Sequence, residues 1–413
     1  MQKKLLLLLA TTGEEAKRDP ANNVLSVSND TTWYVKGDDA FGCGNNAKEQ
    51  HGVSKSSAAK ITTFTKQRTN VKQAFCSLDT TCLLTTAKQL CMAGSNTYGQ
   101  RGTTSTIINF IVVGNDVSQV CCDQTTTWYI DTNGDLYGCG SNTWGNQGDG
   151  TTTNVKTFTK RASNVVKVIG NNKATWFLTA SGDLYGCGSV QNGQQGNGSV
   201  SSSTADSVKT FTKRASNVVD FCASEITTWY IDKNGDLYGC GDANSGQQGN
   251  GIAGTGQYVT AFTKRASNVA SVACSNITTW YIDKSGNLYN CGWNEYGQLG
   301  DPKYTSNSSF TKRASNVASL VVTSYSSWYI DTNGDLYGTG YNAYGQQGAG
   351  NTTDVKGFTK RASNVERVAV STYTTWYLTN DGDLYGCGRN NYGQQGDGTT
   401  TDVKTFTLRA SGI

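Results

Sequence analysis

Between Thr127 and Gly148 the chain switches from apolar to polar and back, and the same switch returns along most of its length. Trp128-Tyr129-Ile130 is aromatic and β-branched, which predicts a strand. Asp131-Thr132-Asn133-Gly134-Asp135 is turn chemistry: the glycine tolerates positive φ, and the Asx side chains bond nearby backbone. Leu136-Tyr137-Gly138-Cys139 predicts the returning strand. Trp128 and Ile130 share a face, because side chains alternate along a strand. Gly138, Gly140, Gly145 and Gly148 mark tight bends or close backbone approach. The unit is a hairpin followed by a compact glycine-rich loop.

Close copies start at Thr228, Thr279, Ser327 and Thr375, and looser ones at Thr32 and Thr175. Trp33, Trp128, Trp176, Trp229, Trp280, Trp328 and Trp376 hold one position of the repeat, and Cys82 holds it in the second unit. These markers stand about 50 residues apart, within the range of propeller repeats. The two longest intervals coincide with insertions at Ser199–Ala205 and Ile252–Gln257. Each unit also has a Val-rich run before the tryptophan, such as Val218–Cys222. A Val-Lys-Thr-Phe-Thr-Lys-Arg run, as at Val208–Arg214, follows the loop. Four short strands per unit make a blade, and a lone blade cannot bury its faces. The predicted fold is all-β: a single β-propeller of four-stranded blades over residues 23–413, with an N-terminal arm over 1–22. Eight repeats predict eight blades, with seven plus a displaced unit as the alternative.

Composition sharpens this picture. Gly is abundant at 48, only two prolines occur, and charged residues are 16%. The surface is therefore mostly uncharged and polar. A net charge of +4 is too weak to indicate nucleic acid. Of 13 cysteines, Cys43, Cys139, Cys187, Cys240, Cys291 and Cys387 fill one slot between glycines, and Thr339 fills it once. They read as small buried residues on a closely packed strand. Cys76, Cys121, Cys122, Cys222 and Cys274 fall on the strand preceding the tryptophan. Within one blade the two cysteine strands lie about 9–10 Å apart, too far for a disulfide. The expectation is thiols and folding in a reducing compartment. Leu5–Ala10 imitates a signal peptide but is short for one, and reads as a retained arm, with a retained anchor as the alternative. No stretch reaches the length of a membrane span.

Val218–Cys222, Asn234-Gly-Asp-Leu-Tyr238, Gly239-Cys-Gly241 and Asn294-Glu-Tyr-Gly-Gln-Leu-Gly300 together resemble the repeat of the regulator of chromosome condensation family of β-propellers. The resemblance covers about residues 24–410. It implies the propeller fold and, through the founding member, guanine-nucleotide exchange on a small GTPase. Two departures stand out. Thr-Thr replaces the family's His-Ser/Thr pair, and Cys replaces its Trp before Gly. The repeats are too alike, without a wedge-like insertion, for exchange activity to follow from fold.

The Asp-x-Asn-Gly-Asp string at Asp131–Asp135, Asp232–Asp236 and Asp331–Asp335 resembles the start of a calcium loop. It lacks the downstream ligands and reads as a hairpin turn. Recurrent Lys-Arg pairs (Lys160-Arg161, Lys213-Arg214, Lys264-Arg265, Lys312-Arg313, Lys360-Arg361) would form a basic girdle, or serve to block edge pairing. With His51 as the one histidine and no zinc spacing, no catalytic constellation, metal site or cofactor is expected. The chain reads as a non-enzymatic structural or attachment module. It would belong to a larger surface assembly such as a virus particle, made in a reducing cytoplasm. Its docking candidates are Leu5, Leu7 and Leu9 of the arm with Ile107, Ile108 and Phe110 of the second repeat, a stretch that otherwise reads as a buried strand. They would contact other protein subunits. Trp144, Tyr296, Tyr344 and Tyr392 are candidate ligand-facing aromatics, for a host surface glycan or protein. The alternatives are a cytoplasmic protein-binding or exchange factor and a carbohydrate-binding propeller.

Overall fold

The computed structural model describes residues 6–7, 24–303 and 305–413. Its strands form eight sheets, each built from four consecutive strands. Blade 1 comprises Leu25–Val27, Thr31–Lys36, Asp39–Asn45 and Lys60–Arg68; blades 2 to 8 follow the same plan and end with Val403–Ala410. The fourth strand of each blade is the exposed outer edge, whereas the second is almost wholly buried. The eight-bladed reading therefore holds, and no unit is displaced. Leu6–Leu7 adds a short parallel strand to the first strand of blade 7, pairing with Ser319 and Leu320. Leu5 and Leu9 lie outside the described residues.

The repeat's strand alternation builds the core. Trp128 pairs with Gly138 across the hairpin, and a Cβ on Gly138 would come within 2.3 Å of the indole. The glycine is the space the tryptophan fills. Phe211 of blade 4 then meets Trp128 edge-on at 6.1 Å, so the outer-strand phenylalanine of one blade seals the tryptophan of the previous one. The same arrangement joins Trp376 of blade 8 to Phe64 of blade 1 and closes the ring. Blade 2 exchanges both partners at once: Cys82 replaces the tryptophan and pairs with Met92 in the glycine slot. Small with large has become large with small.

The cysteine slot does more than fill space. Cys139 donates its thiol to the backbone carbonyl of Gln100 at 3.4 Å, and Cys187 to that of Asn146 at 3.5 Å. Each thiol therefore reaches into the loop of the preceding blade. Thr339 makes the same reach with its hydroxyl, to Gly297 at 2.8 Å. That explains why threonine, and not an aliphatic residue, replaces cysteine. Burial pushes these thiols well above their ordinary range.

The turns follow the predicted chemistry. Asp131 Oδ1 accepts from the backbone N–H of Asn133 and of Asp135. The second carboxylate of that string, Asp135, takes Lys160 at 2.6 Å, and Asp236 and Asp335 take Lys264 and Lys360 likewise. The string is a capped hairpin turn. The girdle of lysines is neutralised within each blade where the aspartate is present.

Between the first and second strands, Ser224, Ser275 and Ser371 cap the turn with a hydroxyl. Blade 3 uses Asp123, whose Oδ1 accepts from Thr125 and Thr126 N–H at 2.7 Å. Burial raises its pKa to about 6 against these hydrogen bonds, and Oδ2 is buried without a hydrogen-bond partner. A carboxyl whose folded pKa is raised carries a penalty that is absent below its ordinary value and complete above about 6. Asp123→Ser should therefore stabilise the chain by about 3 kcal/mol at neutral pH and by far less at pH 4. Urea unfolding at the two pH values checks this.

Candidate functional site

Three slots of the repeat meet on one face of the ring. They are the residue after the Gly-Cys-Gly, the last residue of the turn between the first and second strands, and the aromatic of the glycine loop. The face is fixed by close contact at the bend that recurs in every blade: a Cβ on Gly340 would lie 2.3 Å from the Tyr325 carbonyl. In blade 3 these slots hold Ser141, Thr125 and Trp144; in blade 4 they hold Ser189, Lys173 and Asn192. Blade 6 has Trp293, Ile277 and Tyr296, blade 7 has Tyr341, Tyr325 and Tyr344, and blade 8 has Arg389, Tyr373 and Tyr392.

The large residues of blades 6 to 8 form one continuous belt. Trp293 packs on Tyr296 at 5.3 Å, and Tyr296 on Tyr325 and Tyr341 at 5.5 and 4.9 Å. Tyr341 leads to Tyr344 at 6.4 Å and Tyr344 to Tyr373 at 5.1 Å. The Arg389 guanidinium lies 5.4, 5.1 and 5.8 Å from the rings of Tyr344, Tyr373 and Tyr392. Lys60 of blade 1 ends the belt, with Nζ 5.4 Å from the Tyr392 ring and donating to the Asn391 carbonyl at 2.8 Å. All these aromatics are half-buried. Burial and the neighbouring tyrosines raise the Tyr341 pKa, so its hydroxyl stays protonated at neutral pH and remains a donor.

The sequence candidates divide accordingly. Tyr296, Tyr344 and Tyr392 are brought together in the belt. Trp144 occupies the same loop slot in blade 3, with Ser141 and Thr125 in place of belt aromatics. The second-repeat candidates do not form a docking surface together. Phe110 is buried and meets Trp33 edge-on at 5.9 Å; it is the phenylalanine that seals blade 1. Ile107 is exposed and Ile108 half-buried, in a loop. The stretch expected as a buried strand is a loop up to Phe110, and only Ile111–Gly114 pairs, as the outer strand of blade 2. Its apolar residues lie on an edge, where one face meets solvent. The arm's Leu7 pairs through its backbone with blade 7, not with this stretch. Trp33, Trp128, Trp176, Trp229, Trp280, Trp328 and Trp376 are all fully buried, as their structural role requires. Trp293, Tyr325, Tyr341, Tyr373, Arg389 and Lys60 join the belt in addition to the loop aromatics expected from the sequence. The available signal is the residue after the bend glycine: Trp293, Tyr341 and Arg389 in blades 6 to 8, against Asn45, Ser95, Ser141, Ser189 and Asp242 in blades 1 to 5.

Among the described residues, no group of three His, Cys, Asp or Glu side chains converges as a metal site, and no helix is long and apolar enough to cross a membrane.

The pattern of the Regulator of chromosome condensation (RCC1) repeat matches residues 365–394, the first three strands and glycine loop of blade 8. Solved structures align over most of this chain. Prp20p of Saccharomyces cerevisiae, described with its binding to Gsp1p and histones, aligns at a TM-score of 0.64 and 16% identity, covering 85% of this chain and 91% of that one. This chain is a distant RCC1-like propeller. Yeast RCC1 (Prp20) with Kap60 bound aligns at 0.65 and 16% identity, over 85% and 88% of the two chains. Human WBSCR16 aligns at 0.57 and 17% identity, over 78% and 85%. No curated protein sequence matches the RCC1-like chain.

Proposed function

We propose that this RCC1-like propeller is a non-catalytic binding platform that holds a protein partner on the aromatic belt of blades 6 to 8. The belt carries the proposal: in three consecutive blades these slots hold large aromatic or arginine side chains, Ile277 excepted, and they join in one run of ring contacts. Half-buried tyrosine, tryptophan and arginine in a contiguous patch is the composition of interface hot spots. A protein partner fits better than a glycan. Sugars stack on open ring faces, whereas these rings pack edge to face and Arg389 covers three of them.

The wider setting of this platform is an attachment or structural role in a larger surface assembly, such as a virus particle. An uncharged Asn/Thr/Gly surface and cysteines in the thiol form support that reading.

The test uses a partner that the wild-type chain retains from its native source. A Tyr296→Ser/Tyr344→Ser/Arg389→Ser variant should weaken that partner's binding at least about 30-fold. Trp144→Ser should leave the affinity unchanged. Equal binding by the belt variant would refute the platform, and retention of a glycan alone would favour the carbohydrate reading.

A further inference from the structure

Two cysteines of the first strands meet where neighbouring blades stack. In each blade, the first-strand residue paired with the tryptophan position approaches the next blade at the position one further along its own first strand. Ser26 Oγ of blade 1 lies 3.4 Å from Cys76 Sγ of blade 2 and accepts from the Cys76 N–H at 3.0 Å. Cys121 Sγ of blade 3 accepts from the Gly170 N–H of blade 4 at 3.5 Å. In blade 5 the first position is Cys222, opposite Trp229; in blade 6 the second is Cys274, opposite Thr279. Their sulfurs are 2.9 Å apart. The other junctions give Phe75 with Cys122, Ile169 with Ala223, Ala273 with Val322, Val321 with Val370 and Ala369 with Val27, from the strand registers. The junction of blades 5 and 6 is the one where both positions are cysteine. The separation that forbids disulfides within a blade does not apply between blades.

We propose that Cys222 and Cys274 form an oxidisable dithiol that closes to a disulfide across the junction of blades 5 and 6 when the chain meets a small hydroperoxide. The thiolate of one attacks the peroxide oxygen, giving a sulfenic acid and releasing water from hydrogen peroxide. The second thiol attacks that sulfur, the S–O bond breaks and a second water leaves. Two thiol protons end in the waters, two electrons go to the peroxide, and one S–S bond forms. The sulfurs need to close from 2.9 Å to the ordinary bond length of about 2.05 Å. Both side chains are buried, at 0% and 1% exposure, so reaction waits on opening of the junction and larger oxidants are excluded. The bond would tie together residues 52 positions apart and staple the ring at one junction.

The experiment treats the full chain with hydrogen peroxide, blocks remaining thiols and maps peptides without reduction. The expected product is a Cys222–Cys274 cross-linked peptide. The melting temperature should rise by about 4 °C, reversed by dithiothreitol. Cys222→Ala and Cys274→Ala should each abolish the product and the rise. Both should fold, because Ala273 and Ala369 occupy the first slot in other blades and Ala223 the second. Cys187→Ala, a buried thiol outside this junction, should keep both effects. Peroxide that leaves these two thiols reduced, or oxidises each singly, overturns the proposal.

Discussion

Replacing Cys82 by tryptophan should destabilise the ring, replacing Met92 by glycine should do the same, and the two together should restore most of the loss. The register places Cys82 opposite Met92 as it places Trp128 opposite Gly138. A tryptophan against Met92 has nowhere to go, since in blade 3 even a methyl on the glycine would reach the indole. Overpacking of this kind costs about 1–3 kcal/mol or more. Met92→Gly removes a fully buried side chain and leaves a cavity, at about 2–5 kcal/mol. In the double variant the indole occupies the vacated volume, with Phe158 of blade 3 already packed there. A favourable coupling above about 2 kcal/mol, from denaturation midpoints of the four proteins, is the expected result. Simple additivity would show that the two positions do not share one volume.

His51→Gln should make the chain resistant to acid. His51 occupies the slot that glutamine fills in blades 3, 4, 5, 7 and 8. Its N–H bonds Asn46 Oδ1 at 3.0 Å, just as Gln147 N–H bonds Asn142 Oδ1 at 2.8 Å. The glutamine also donates from Nε2 to the Cys139 carbonyl at 3.0 Å. The imidazole instead stacks on Trp33 at 4.9 Å, with both ring nitrogens buried. Burial lowers its pKa to about 3. The unfolded chain therefore binds a proton that the folded chain refuses between the ordinary histidine value and about 3. Stability falls as pH drops through that window, by about 1.4 kcal/mol per unit and on the order of 5 kcal/mol in all. The substitution should remove that slope while matching or exceeding wild-type stability at pH 7. Subtracting the two pH–stability curves cancels the opposite contribution of Asp123. A difference independent of pH would mean that His51 is not buried as a neutral ring.

The hairpin, the tryptophan–glycine pairing and the eight-fold count were legible because strand periodicity and glycine placement are local signals repeated many times. The role of Phe110 is long-range and is not legible in a single repeat: it seals the blade before its own. The stretch from Thr106 to Val113 looked like core because apolar content does not distinguish an outer edge from a buried strand. Tyr344 was visible as a loop aromatic. Tyr325 and Tyr373 were hidden as turn residues, and Arg389 by its place after a structural Gly-Cys-Gly. Only stacking of blades 6, 7 and 8 brings those slots into one surface.

Blade 8 meets blade 1 through the contacts that recur at most other junctions, including Phe64 with Trp376, and Cys43 donating to the Gln394 carbonyl at 3.3 Å. It is also the junction whose two blades are not consecutive along the chain. Thermal breathing should part the wheel there first, and amide hydrogens of Leu25–Val27 and Val403–Ala410 should exchange ahead of the rest. Lys60 reaches over that seam to Tyr392, so a ligand gripping this end of the rim would act as a clasp and slow the exchange on both sides.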